Sequence, residues 1–350
     1  MHAEYPAVWR SQGPRPSVRT PFAARQTINR RNELRDGPEP AIRYPSRPRR
    51  RYPEWSRQLP TTVHGMVKMA WEHPANRGRR AQALASMAGW QIWKRLVGRP
   101  LDLSVYGNMS FRAYRNSTQP GRFIYFGGLP DYEEMTFMKR FLRPGDGFID
   151  GGANEGMFTL LAAQLVGPSG AVHAFEAVPE FANRLRENVD ANSLECVTVH
   201  NMAIGSEPGR VSFVLRGEGS RIQTTADQDT SMKVRLGRLD DTLPERTFAM
   251  GKLDVEGSEQ HALTGAAQLI ARGQPAVWML ELVDKFLHRF GSSVRQTREW
   301  LNDNGYDMVL YDPDSNKLVP APDPFRPAPD VLAVSRQRRH EVEARLAGTW

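Results

Sequence analysis

The stretch Phe148-Ile-Asp-Gly-Gly-Ala-Asn-Glu-Gly156 decides the fold. Phe148–Asp150 reads as a short strand, and a glycine-rich turn follows it without a spacer. From Gly156 to Val166 an apolar run of helix length begins. Such a turn lets backbone approach a ligand closely, because glycine permits positive φ and Asn154 tolerates a left-handed conformation better than most residues. Working outward, Ala171–Glu176 predicts a strand, Pro179–Asn192 a helix and Cys196–His200 a strand. After an insertion over Ser206–Arg246 come strand Gly251–Val255, helix Ser258–Arg272 and strand Ala276–Leu282. Strands separated by helices of about 10–15 residues predict βαβ units and a parallel sheet covered on both faces. Helix Val294–Asn304 then leads into Tyr306–Tyr311 and Val331–Ser335, two strands with no helix between them, so an antiparallel pair is expected at one edge. The fold class is α/β: doubly wound, mostly parallel and Rossmann-like.

Upstream of the turn the pattern is weaker. Leu101–Val105, Ser110–Arg115 and Phe123–Tyr125 predict short strands, and Glu133–Leu142 a helix stopped before Pro144-Gly145. Between Asn76 and Gly98, Ala83, Met87, Trp90, Ile92 and Leu96 fall at helical spacing among Arg77, Arg80, Lys94 and Arg95. That helix either docks its apolar stripe on the main domain or lies on a membrane surface. The expected organisation is a disordered Arg/Pro-rich tail at 1–60, a helix and β-hairpin cover at 61–143, and the main domain at 144–350. In the insertion, Val211–Leu215 and Lys233–Leu236 read as strands, forming either part of an acceptor pocket or an extension of the sheet.

The net charge of +8 invites a nucleic-acid reading until it is located. Residues 1–60 hold thirteen basic residues against five acidic, leaving 34 of each sign in the remainder. The globular part is therefore not basic, and no DNA partner is expected. The tail itself could make weak contact with RNA or an anionic membrane. No apolar run reaches the roughly 20 residues needed to span a bilayer, and no secretory signal is evident. With a single cysteine, Cys196, a disulfide framework within the chain is ruled out, and a soluble cytoplasmic protein is expected. Cys196 reads as a small buried hydrophobe.

In a doubly wound sheet the ligand site lies outside the carboxyl ends of the strands, at the point where strand order reverses. The glycines at 151, 152 and 156 do not fit the G-x-G-x-x-G spacing of nicotinamide sites. Glu176 ends the second strand, where a carboxylate can accept both ribose hydroxyls. A glycine turn, a second-strand carboxylate and no phosphate-binding lysine together point to a nucleoside cofactor lacking phosphates.

From about Pro144 to Ser335 the chain resembles the FkbM family of class I methyltransferases. The motifs that carry the resemblance are Asp150-Gly-Gly-Ala-Asn-Glu-Gly156, Phe175-Glu176 with Pro179, Asn201-Met-Ala203 with Gly205, and Leu239-Asp240. Lys252-Leu-Asp-Val-Glu-Gly-Ser-Glu259, Leu263-Thr-Gly265 and Glu281-Leu282 follow in the family's order. Two positions depart from the pattern: Gly151 stands where an aliphatic residue is usual, and Ala177 where a proline is usual. The resemblance implies S-adenosylmethionine as cofactor and methyl transfer to a hydroxyl of a sugar or secondary metabolite, hence a small-molecule or glycan acceptor. It places Asp150, Gly151, Gly152, Ala153, Asn154 and Gly156 around the methionine part, Glu176 at the ribose, and Met202 and Ala203 along adenine.

The segment after the fourth strand then faces the methyl group. Asp254, Glu256 and Glu281 are the candidate catalytic carboxylates, Asp254 and Glu256 sharing a face if the strand persists. Lys252 either pairs with one of them or is an exposed strand residue. Glu281 and Asp284 could also join Asp254 around Mg²⁺, although substrate-orienting or structural roles are expected and no metal is assigned. Glu259 falls where the helix dipole favours a carboxylate anyway. Two alternatives stand beside this reading: an N-methyltransferase, or a non-catalytic cofactor-binding scaffold using its basic tail. The N-methyl enzymes often carry an Asn/Asp-Pro-Pro-aromatic turn where this chain has Asp254-Val-Glu-Gly257.

Overall fold

The computed structural model describes residues 62–97, 99–117, 119–125, 129–214, 221–222, 231–321 and 331–348. The expectation of a disordered tail at 1–60 lies outside these residues.

The chain opens with a helical hairpin, α1 (Val63–Glu72) and α2 (Arg80–Leu96), followed by antiparallel strands β1 (Leu101–Val105) and β2 (Met109–Ala113). A short helix α3 (Gln119–Tyr125) and helix α4 (Tyr132–Phe141) complete this cover. The strand expected at Phe123–Tyr125 is thus the end of a helix. Gly121 leaves α3 close enough to pack on Trp90 of α2, and tertiary contact overrides the β-propensity of Phe123-Ile-Tyr125.

The main sheet begins at β3 (Gly147–Gly151) and continues through α5 (Met157–Val166), β4 (Ala171–Phe175), α6 (Pro179–Ala191) and β5 (Val197–His200). A second, four-stranded sheet then interrupts it: β6 (Ala203–Ile204), β7 (Gly209–Val214), β8 (Arg221–Ile222) and β9 (Ser231–Gly237), in the order β6-β9-β7-β8. The insertion therefore builds a sheet of its own and does not extend the main one. After α7 (Leu239–Thr242) the main sheet resumes with β10 (Met250–Leu253), helices α8 (Glu259–Thr264) and α9 (Ala267–Ala271), and β11 (Val277–Leu280). The chain ends through α10 (Asp284–Leu287), α11 (Val294–Asp303), β12 (Tyr306–Asp312), β13 (Lys317–Pro320), β14 (Val331–Ser335) and α12 (Arg339–Ala347).

The eight strands of the main sheet lie in the order β13-β12-β14-β11-β10-β3-β4-β5. From β11 to β5 all neighbours are parallel, while β14, β12 and β13 form an antiparallel margin. The mostly parallel, doubly wound class is as expected, with an antiparallel edge of three strands rather than two. Strand order reverses between β3 and β10, which fixes the switch point.

Helix α5 is apolar almost all round, so it must be covered on every side. The sheet covers one side, and Met135 and Phe137 of α4, with Phe111 and Phe123, join the same core cluster. Tyr106 of the cover donates its hydroxyl to the Met157 carbonyl at 3.0 Å. Cys196 is half-buried at the margin of this core, and burial pushes its thiol pKa up.

The single helix expected over Ser258–Arg272 is two, broken at Gly265-Ala266. A Cβ at Gly265 would lie 2.0 Å from the Gly205 carbonyl oxygen, so the backbones touch there. Asp240 completes the break: its amide donates to the Gly265 carbonyl, and its carboxylate accepts from the Gln268 and Leu269 amides that open α9. Among the described residues no helix is long and apolar enough to cross a membrane.

Candidate active site

The glycine turn leaves β3 with Gly152 at φ 85°, Asn154 at φ 52° and Gly156 at φ 102°, so the left-handed conformation expected at Asn154 is present. The Gly152 and Ala153 amides both donate to the Phe175 carbonyl at 3.0 Å, tying the turn to the end of β4. A Cβ at Gly152 would stand 1.9 Å from the Asp254 carbonyl oxygen. Side chains at Gly151 and Gly156 would strike Leu253 and Leu185. Glycine is thus demanded at 152 by backbone contact and at 152 and 156 by positive φ. At Gly151 the ends of the Leu253 and Ile204 side chains occupy the space a side chain would take.

Glu176 follows β4 directly and is buried. One carboxylate oxygen accepts from the Asn154 amide at 2.8 Å and the other from the Val178 amide at 2.7 Å. Asn201, just beyond β5, donates to the Glu176 and Ala177 carbonyls at 2.9 and 3.1 Å and fixes the turn. Burial pushes the Glu176 carboxyl up to about 7, against the pull of its backbone donors. Each carboxylate oxygen carries a second lone pair, so capacity to accept remains. Met202 and Ala203 are both buried. Ala203 pairs with Leu236 in the second sheet and packs in the same cluster as Ala177 and Val178.

Across the switch point, Lys252 of β10 is the register partner of Asp150 on β3. The Lys252 side chain is buried, 4.6 Å from the Phe158 ring centroid, and donates to an Asp254 carboxylate oxygen at 2.8 Å. Burial works to raise the Asp254 carboxyl, but the Lys252 ammonium and hydrogen bonds from Lys252 and Glu281 outweigh it and hold it below the ordinary carboxylate range. Glu281 reaches Asp254 because it follows β11, whose register sets its amide on the Leu253 carbonyl at 3.1 Å. Asp150 is fully buried, accepts from the Thr159 hydroxyl at 2.6 Å, and has its carboxyl raised by burial despite Lys252. Asp254 and Glu281 are therefore brought together, with Lys252 and Asp150 beneath.

Glu256 is placed differently from expectation. The strand ends at Leu253, and Glu256 has φ 56°, so the period-2 argument that set it beside Asp254 does not apply. A non-glycine residue held left-handed stores about 1 kcal/mol or more and is more often found at functional turns. The turn is held from inside by Glu259, 1% exposed, one of whose oxygens accepts from the Val255 and Gly257 amides at 3.0 and 3.1 Å. Its other oxygen is buried without a partner, and burial pushes this carboxyl up to about 8. Asp284 does not join Asp254. It caps α11 instead, accepting from the Val294 amide at 2.9 Å, and this removes the third carboxylate from the cluster weighed for Mg²⁺. His261 meets the Phe290 carbonyl at 3.3 Å, and burial lowers its pKa, whereas His288 is exposed.

One functional connection had no sequence signal. Glu155, inside the glycine turn, is buried and accepts from Arg184 of α6 at 2.6 Å and from Ser117 of the cover. Arg184 also donates to Asn116 at 2.9 Å and lies over the Tyr114 ring. Beside this pair, Asn192 exchanges two hydrogen bonds with the backbone of Ser110 at 2.7 Å each, as a neighbouring strand would. Asn188 accepts from the Arg112 amide at 2.7 Å and donates to the Glu155 carbonyl at 2.8 Å. A spacing rule cannot find this pairing, because its members come from three separate segments.

Comparison with known proteins bears on the same segment. Residues 150–308 match the methyltransferase FkbM domain. A protein-L-isoaspartate O-methyltransferase of Ignicoccus hospitalis is 41% identical over 58 residues, 17% of this chain and 28% of that protein. The structure of a methyltransferase FkbM from Methylobacillus flagellatus is 16% identical, with a TM-score of 0.37 over 73% of this chain and 60% of that one. A SAM-dependent O-methyltransferase from Thermotoga maritima is 16% identical, with a TM-score of 0.36 over 68% of this chain and 77% of that one. The fold assignment rests on the strand order, and the limits of the domain match enclose the glycine turn, Glu176 and the Lys252–Glu281 constellation. Residues 150–308 of this chain are thus similar to the methyltransferase FkbM domain over its cofactor-side core.

Proposed function

We propose that the protein is an S-adenosylmethionine-dependent methyltransferase acting on a hydroxyl oxygen of a sugar or secondary metabolite. One observation carries the reading: at the switch point, beside the glycine turn, the Asp254 carboxylate is paired with the buried Lys252 ammonium at 2.8 Å.

The residues present fit that cofactor. Two cations beside the turn, Lys252 and Arg184, are committed to Asp254 and Glu155 and so are not set to neutralise a pyrophosphate. When bound, the cofactor supplies a methyl group already activated on sulfur. Glu176 would hold the ribose hydroxyls and the 151–156 turn the methionine end. Asp254 would accept the proton of the acceptor hydroxyl as the oxygen attacks, and Lys252 would orient it. Such a base typically contributes about 10²–10⁴-fold, the remainder coming from alignment of the reacting atoms. The turn Asp254-Val-Glu-Gly257, which lacks the paired prolines of many N-methylating sites, supports oxygen as the acceptor atom.

Calorimetric titration of the folded protein with S-adenosylmethionine and S-adenosylhomocysteine tests the reading. Saturable binding of both is expected, and no heat at millimolar ligand would sink it.

A further inference from the structure

The described residues leave six large hydrophobic side chains exposed, and all six lie between residues 67 and 101: Val67, Trp71, Ile92, Leu96, Val97 and Leu101. Leu96 is 79% and Ile92 57% exposed. The helix α2 explains the pattern. Its Ala83, Met87 and Trp90 face inward, against Met69 and Ala70 of α1 and Tyr125 of α3. Its outward face carries Ala81, Ala85, Ala88, Ile92 and Leu96, and the helix has no charged side chain between Arg80 and Lys94. The helix is therefore apolar on two faces, only one of which the protein covers. Stable soluble helices turn a polar face to water, and contiguous exposed apolar surface marks an interaction site.

The rim of this surface is cationic. Residues 61–100 contain Lys68, Arg77, Arg79, Arg80, Lys94, Arg95 and Arg99 against the lone acidic Glu72. Residues 101–350 contain 27 basic and 33 acidic residues, so the hairpin is oppositely charged to the body on which it sits. Residues 1–60, immediately before it, add a further excess of eight positive charges.

We infer that the α1–α2 hairpin is a docking surface for an anionic lipid bilayer. An apolar face with an aromatic residue, bordered by Lys and Arg, matches the interfacial region of such a membrane: side chains enter the acyl boundary while cations meet the headgroups. Nucleic acid would use the cations but gives no reason for exposed Ile92, Leu96 and Val97. The same hairpin is tied to α3, Gln91 donating to the Tyr125 hydroxyl at 2.7 Å.

The test is co-sedimentation of the full chain with vesicles of phosphatidylcholine alone, or with about one-third phosphatidylglycerol, at low and high salt. Binding to the anionic vesicles is expected to exceed that to neutral ones at least tenfold and to fall with salt. The double variant Ile92→Ser/Leu96→Ser should lose tenfold or more, as should Arg95→Glu/Arg99→Glu, with thermal midpoint and S-adenosylmethionine affinity unchanged. Unaltered vesicle binding by the Ile92/Leu96 variant would assign the attraction to residues 1–60 and overturn the inference. A wild-type dimer that becomes monomeric in that variant would show that a second copy covers the face. Binding to an RNA homopolymer that tracks the same apolar substitutions, with none to vesicles, would overturn it equally.

Discussion

Replacing Glu259 with glutamine should make the protein more stable at alkaline pH and leave it nearly unchanged at pH 5. In the folded state this carboxyl is raised from an ordinary 4.5 to about 8, chiefly by burial. The proton sits on the oxygen that has no partner, while the other oxygen accepts from Val255 and Gly257. Glutamine reproduces that protonated shape without an ionisable group. Below pH 4.5 the folded and unfolded chains are both protonated, and the group contributes no pH dependence. Between about 4.5 and 8 the unfolded chain releases the proton and the folded chain keeps it, so wild-type stability falls as pH rises. At 1.36 kcal/mol per unit the shift corresponds to up to about 5 kcal/mol, and relaxation around a buried carboxylate brings the expected range to about 2–5 kcal/mol. Urea unfolding of both proteins at pH 5 and pH 8.5 measures it. The variant should agree with wild type within about 1 kcal/mol at the lower pH, given one additional buried amide hydrogen, and exceed it at the higher. A stability difference that does not change with pH would refute the reasoning, because it would show that Glu259 is ionised in the folded protein.

Asp254→Asn should retain S-adenosylmethionine binding and lose about 10²–10⁴-fold in turnover on the true acceptor; near-normal turnover would move the base to Glu256 or Glu281. Lys252→Met removes the ammonium that holds Asp254 below the ordinary carboxylate range, so the acid limb of the pH–rate profile should move to higher pH; an unmoved limb would detach that limb from Asp254. Glu176→Ala should weaken cofactor binding tenfold or more, since charge-assisted hydrogen bonds are worth about 1.5–3 kcal/mol each, and an unchanged dissociation constant would place the ribose elsewhere. Gly152→Ala should lower stability by about 2 kcal/mol or more, from its positive φ and the contact with Asp254; a thermal midpoint equal to wild type would show that the turn can move away from β10.

Where a reading depended on periodicity and length, the sequence was legible. The parallel core strands, α5, α6 and the antiparallel edge lie where apolar runs and turn residues place them. Glu281 was legible as a partner of Asp254 because both leave neighbouring parallel strands. What could not be read was fixed by contacts distant in sequence. Phe123–Tyr125 is helical because Trp90 packs on Gly121. The break at Gly265 answers the Gly205 carbonyl, and Asp240 caps across 28 residues. Glu256 left the expected face because Glu259 folds the turn around its own carboxylate, a competition between side chain and strand that period-2 reasoning does not include.

The Asn188–Asn192 ladder and the Glu155–Arg184 pair bear on where this chain can be cut or recombined. Composition alone sets a boundary near residue 144, between a small leading region and the main α/β domain. The hydrogen bonds give another partition: Ser110, Arg112, Asn116 and Ser117 are bound to the same helix and turn that hold the glycine-rich loop. A chain begun at residue 144 would leave Arg184 facing Glu155 without Ser117 and Asn116, and α5 without the aromatic residues that cover it. Residues 101–141 are thus bonded into the same unit as the glycine turn. A graft that exchanged the leading region between relatives would have to carry Asn188, Asn192 and Arg184 with it, or lose the loop along with the cover.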